Sequence, residues 1–183
     1  MKSATFALAE AAYLARRADE IQALEVELRR AQAKIAAEVR ATGAPGYMMA
    51  EKLGVDHVRQ QCRTAAEELM RACTSTGERP TRANMQSRWS QMIDQTRSDA
   101  EAALTDFLIP HSNAGATSPV ARFMDSATLK GQAIVYADFA HFVAEQNRAA
   151  REKRWKVAAW FGAAFAGAFL AKSPDIFQWI LHH

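Results

Sequence analysis

Helix breakers and cross-linking residues are scarce in this chain, which holds five prolines, eight glycines and two cysteines in 183 residues. So few breakers leave room for long helices. The cysteines, Cys62 and Cys73, are eleven residues apart, about three turns and roughly 16 Å along one helix. They share a face but cannot bridge. That excludes a disulfide-stapled domain and points to core thiols. There is no alternating β-type run, no internal repeat and no long low-complexity tract. No glycine-rich phosphate loop is present, and no Ser–His–Asp or Cys–His arrangement can be read from spacing. The run after Lys2 carries Glu10 inside its apolar stretch, which argues against a secretory leader. A retained N-terminus is expected.

Charge of either sign is unremarkable in amount but not in distribution. Nearly half the residues are apolar (49%) and 23% are charged, an ordinary balance for a folded protein. The net charge is +3. Residues 145–156 set five cations, Arg148, Arg151, Lys153, Arg154 and Lys156, against Glu145 and Glu152, so this segment accounts for the whole excess. The sequence pI of about 9.0 therefore reports a local collar rather than a basic face. A nucleic-acid partner is not expected, because it would want such a face over the folded domain.

The breaks that do occur are well marked. They read T-G-A-P-G at 42–46, T-S-T-G-E-R-P-T at 74–81, P-H-S-N-A-G-A-T-S-P at 110–119 and K-S-P-D at 172–175. Each concentrates turn residues. Apolar residues between them recur at steps of three and four. The first run, 3–42, gives Ile21, Leu24, Leu28, Ala31, Ile35 and Val39, with Glu25 and Arg29 placed to pair. The second, 47–73, gives Val55, Val58, Cys62, Ala65, Leu69 and Cys73. The third, 81–109, gives Met85, Trp89, Met92, Thr96, Ala103 and Phe107. The fourth opens on Ser118–Pro119, an N-cap followed by a first-turn proline. It gives Val120, Phe123, Ala127, Ile134, Val135, Phe139, Phe142 and Val143. The fold expected is all-α, an antiparallel bundle of about four helices. The last helix is long and runs on into a C-terminal apolar, transmembrane helix.

That apolar run, residues 157–171, has no charge. It covers about 22 Å against a hydrocarbon core of about 30 Å. Snorkelling lysines at 156 and 172 would stretch it, and Trp155 and Trp160 suit an interface. The anchor residues are Trp155, Trp160, Phe161, Phe165, Phe169 and Leu170. Ala159, Ala163, Gly167 and Ala171 form a small-residue row of the kind that brings membrane helices close. Beyond Lys172, the residues Ile176, Phe177, Trp179, Ile180 and Leu181 outline an amphipathic tail. The expected organisation is a bundle over 1–147, a basic juxtamembrane collar over 148–156, the membrane helix over 157–171 and the tail over 172–183. The collar orients the bundle to the cytoplasm, giving a single-pass membrane protein.

Three local patterns invite chemistry. Asp138, His141 and Glu145 share a helical face, but a di-iron bundle needs paired Glu-x-x-His motifs and further carboxylates. Residues 50–58, A-E-K-L-G-V-D-H-V, have the Ala/Gly spacing of a helix-turn-helix turn, yet Gln60 stands where a recognition helix wants an apolar residue. His182 and His183 are given no role. No catalytic residue, metal ligand or cofactor is therefore expected. The expectation is a non-enzymatic, membrane-anchored scaffold or accessory subunit. Its partners are membrane lipid and either other proteins or copies of itself. The alternatives are a holin-like or pore-forming protein that oligomerises through the C-terminal helix, and a soluble DNA-binding or regulatory helical protein.

Overall fold

A computed structural model describes residues 1–37, 44–108 and 119–172; side chains are described within these except at 35–37, 44–47, 95–96, 108, 119 and 169–172. The described residues form four helices and no strand: α1 (Ser3–Ala37), α2 (Ala44–Thr76), α3 (Arg82–Leu108) and α4 (Pro119–Lys172). Two compact units divide the chain, Met1–Val143 and Ala144–His183.

The α2–α3 corner shows how the sequence sets an end. Gly77 takes φ +65°, a left-handed conformation that costs a glycine little. Its N–H reaches the Thr74 carbonyl at 3.3 Å, and the Glu78 N–H reaches the Cys73 carbonyl at 3.0 Å. These paired bonds close the helix as a Schellman motif. Thr81 then caps α3 by accepting from the Asn84 N–H at 3.3 Å. The expected helix ends at 42–46, 110–118 and 173–175 lie wholly or largely outside the described residues.

Side-chain contacts give the bundle its up-down-up-down order. Arg16 meets Glu68 and Glu20 meets Thr64, so α1 and α2 run antiparallel. The Trp89 indole donates to the Cys62 carbonyl at 2.9 Å, while Leu104 lies against Gly54, so α2 and α3 do too. Arg97 pairs with Asp125 at 2.6 Å, and Trp89 meets Tyr136 edge-on at 5.8 Å, which sets α4 antiparallel to α3. Two glycines permit close approach. A Cβ on Gly131 would lie 2.8 Å from Cys62 Sγ, and one on Gly54 would lie 2.7 Å from Leu104 Cδ1.

The core holds most of the expected stripes. Leu24, Leu28, Ala31, Val58, Cys62, Ala65, Leu69, Cys73, Met85, Trp89, Met92 and Phe107 are buried, as are Val120, Phe123, Ala127, Val135 and Phe139. Ile21, Val55, Ala103, Phe142 and Val143 are half-buried against them. Ile134 is a correction: it is exposed, because Val135 and Phe139, one turn apart, already occupy the inward face and Ile134 lies about 100° away from Val135. Ile35, Val39 and the side chain of Thr96 lie outside what is described. Both cysteines are free and buried. Burial pushes the Cys62 thiol up to about 12 and the Cys73 thiol up to about 11, so neither is a reactive thiolate near neutral pH.

Among the described residues no helix is long and apolar enough to cross a membrane. The expected transmembrane helix is therefore not supported at the level of length and hydropathy: the uncharged run has fifteen residues, and lysine stands at each end.

Candidate functional site

The helical backbone from residue 144 to 172 follows from its alanines and long unbranched side chains. What sets it apart is how little of it is covered. Every side chain described from 151 to 168 is exposed. Trp155 is 75%, Trp160 68%, Phe161 62% and Phe165 78% exposed. Ala159, Ala163 and Gly167 are exposed as well, and a Cβ on Gly162 or Gly167 would meet nothing within 4 Å. The small-residue row is thus an open surface rather than a packed one. Phe169, Leu170 and Ala171 belong to the helix, but their side chains lie outside what is described, as does the whole tail after Lys172. A helix that is apolar on all sides and covered on none presents a surface that water does not favour.

The collar beside it is equally open. Arg148, Arg151, Lys153, Arg154 and Lys156 are all exposed, whereas the bundle arginines Arg16, Arg17, Arg71 and Arg97 each reach a carboxylate.

The bundle contains a polar stripe that the apolar pattern did not reveal. His57, Gln61, Thr64 and Glu68 are buried on α2 at steps of four, three and four, one helical face. Glu68 accepts from Arg16 at 2.8 Å and from Arg71 at 2.9 Å, and the hydrogen bond to Glu68 raises the Arg16 pKa. Thr64 Oγ1 donates to Glu20 Oε1 at 2.7 Å. His57 Nε2 and Gln61 Nε2 are buried without a hydrogen-bond partner. Burial pushes the His57 imidazole down to about 4, so it is neutral near pH 7. The signal was present as a polar row running beside Val58, Cys62, Ala65 and Leu69, but spacing alone does not say that both rows are covered.

The remaining candidates come apart on inspection. Asp138, His141 and Glu145 are all exposed on α4, and no group of three or more His, Cys, Asp or Glu side chains among the described residues is placed to hold a metal ion. Residues 50–58, whose Ala/Gly spacing resembles a helix-turn-helix turn, form no turn. Those residues lie within continuous α2, because Gly54 is there to admit Leu104 and Phe123 rather than to make a turn. A groove of about 470 Å³ lies between α2 and α4, lined by Glu51 and Val55 on α2 and by Arg122, Phe123, Ser126 and Lys130 on α4. A second, of about 320 Å³, lies between α1 and α3 and includes Arg29, Asp106 and Phe107. The first groove gathers the Glu51 carboxylate, the Ser126 hydroxyl and the Arg122 and Lys130 cations in its lining.

No known family model, curated protein or solved structure matches this chain.

Proposed function

We propose that this protein is a non-enzymatic helical scaffold or accessory subunit held on a membrane by its C-terminal apolar helix, with the bundle on the cytoplasmic side presenting its surface to partner proteins. The observation that carries the reading is the exposure of an apolar helix on every side over residues 157–168. Water penalises that surface by about 25 cal/mol per Å², and a bilayer relieves the penalty without a protein partner. The order of residues fits such a surface. Cations run from 148 to 156 with Trp155 among them, and Trp160 and the phenylalanines at 161 and 165 follow. The run of about 22 Å reaches across a bilayer only when the membrane thins or Lys156 snorkels. Cytoplasmic placement of the bundle rests on the collar and the tendency of cationic flanks to remain on that side.

The open row of Ala159, Ala163 and Gly167 supports one elaboration, pairing of these helices within the bilayer. A pore-forming protein would use the same row, and leakage of vesicle contents is the readout that would favour it. The test of attachment is carbonate extraction of membranes from cells expressing the full chain. The wild type should stay with the membrane, and a Phe161→Asp/Phe165→Asp variant should be released. Release of the wild type would overturn the reading.

A further inference from the structure

The five collar cations do not lie on one side of their helix. At about 100° per residue, taking Arg148 as zero, Lys156 falls near 80°, Lys153 near 140°, Arg154 near 240° and Arg151 near 300°. They form a ring about 12 Å tall. The two nearby acids, Glu145 and Glu152, fall between Arg148 and Lys156 and leave the far side purely cationic. All five cations are exposed. The apolar side chains that follow are also exposed on every side.

These two facts bear on how the helix meets a bilayer. A helix lying flat in the interface has one apolar face and one charged face. Here there is no such division at either level: cations surround the axis below residue 157, and apolar groups surround it above. Only an end-on approach buries the second group while leaving the first at headgroup depth. We propose that the collar is a binding ring for anionic lipid headgroups, met end-on by the helix, so that several phosphate groups gather around its circumference. The proposal rests on the membrane attachment argued above and names its lipid partner.

The ring makes a demand that a flat helix does not. Removing two cations from one side must weaken binding as much as removing two from the other. Full-length protein is sedimented with vesicles of pure phosphatidylcholine and with vesicles in which about one lipid in three is phosphatidylglycerol, a fraction large enough to give a strongly negative surface. The wild type should bind the anionic vesicles about tenfold or more tightly than the neutral ones, and the difference should shrink as salt rises. Arg148→Gln/Lys156→Gln and Arg151→Gln/Arg154→Gln should each lose most of that preference, and to a similar extent. Circular dichroism should show both variants folded, since every altered side chain is exposed. Equal binding of the wild type to both vesicles overturns the ring and leaves attachment standing. Binding to neither overturns both. Loss confined to one of the two variants shows a flat helix and also overturns the ring. Depth gives an independent check with Trp179 replaced by Phe. Brominated lipids should quench Trp160 from a deeper position than Trp155, by about 7 Å of helix rise; equal depths would contradict the end-on approach.

Discussion

Two stretches of α4 are built from similar residues and have opposite fates. From Val120 to Phe139 the apolar side chains Val120, Phe123, Met124, Ala127, Val135 and Phe139 are buried on one side, while the exposed surface mixes polar residues with Leu129 and Ile134. From 151 to 168 everything is exposed, although aromatic and small apolar residues are denser there. The first stretch has an apolar stripe, which packing on one side, against α2 and α3, can cover. Within the second, residues 157–168 have no polar side to turn outward, so no single-sided packing can satisfy them. Apolar content alone therefore says little about what covers a helix. Its distribution around the axis decides whether packing on one side can cover it.

The largest expected effect sharpens that contrast. Trp89 is 1% exposed, and its indole satisfies the Cys62 carbonyl. Trp89→Ala should cost about 3–5 kcal/mol in urea unfolding. Trp155→Ala, at an equally large side chain, should change stability by less than about 0.5 kcal/mol while weakening vesicle binding. A comparable loss at Trp155 would mean that the C-terminal helix is covered by protein.

Acid comes next. The buried imidazole of His57 holds a proton only near pH 4, whereas in the unfolded chain it does so near its ordinary value of 6.5. The unfolded state thus binds more protons between those values. The contribution is fully present above about pH 6.5, falls as pH drops toward 4, and amounts to about 3 kcal/mol. Urea midpoints measured from pH 7 to 4 should fall, and His57→Leu should flatten the slope by about that amount. An unchanged slope would show that other groups govern acid unfolding.

A pair of glycines on one helix gives a smaller difference. Gly131→Val forces a side chain against Cys62 and should cost about 2 kcal/mol, with partial rescue by Cys62→Ala. Gly162→Val has open space around it and should leave the melting temperature unchanged. The smallest effect concerns bilayer thickness. A short apolar run favours thin membranes by fractions of a kcal/mol per Å, so binding should be tighter to vesicles of shorter acyl chains.

The bundle was legible where apolar spacing ran unbroken. Val58, Cys62, Ala65, Leu69 and Cys73 are all buried, and the expected Glu25–Arg29 pair forms at 3.3 Å. It was illegible where polar residues interrupt the stripe. Phe6, Ala9 and Tyr13 are buried on a row that continues through Arg16 and Glu20, whose charges hide the period. Their partners, Glu68 and Thr64, lie more than 40 residues away in sequence, so no local pattern shows that these charges are matched. The groove beside Arg122 and Lys130 depends on α2 and α4 standing side by side and has no signature in either helix alone. The charge order of the collar and the uncharged run could be read directly, but their exposure could not, because it depends on which helices stand beside them.

Flotation of the full chain with anionic vesicles, beside Phe161→Asp/Phe165→Asp, tests most directly whether the all-round apolar helix inserts while the bundle folds without it. Each aspartate should oppose insertion by about 2.5–3.5 kcal/mol. The wild type should float, the double variant should remain at the bottom of the gradient, and the two should unfold at the same urea concentration. A double variant that floats as well as the wild type, or one whose bundle loses stability, would contradict the account.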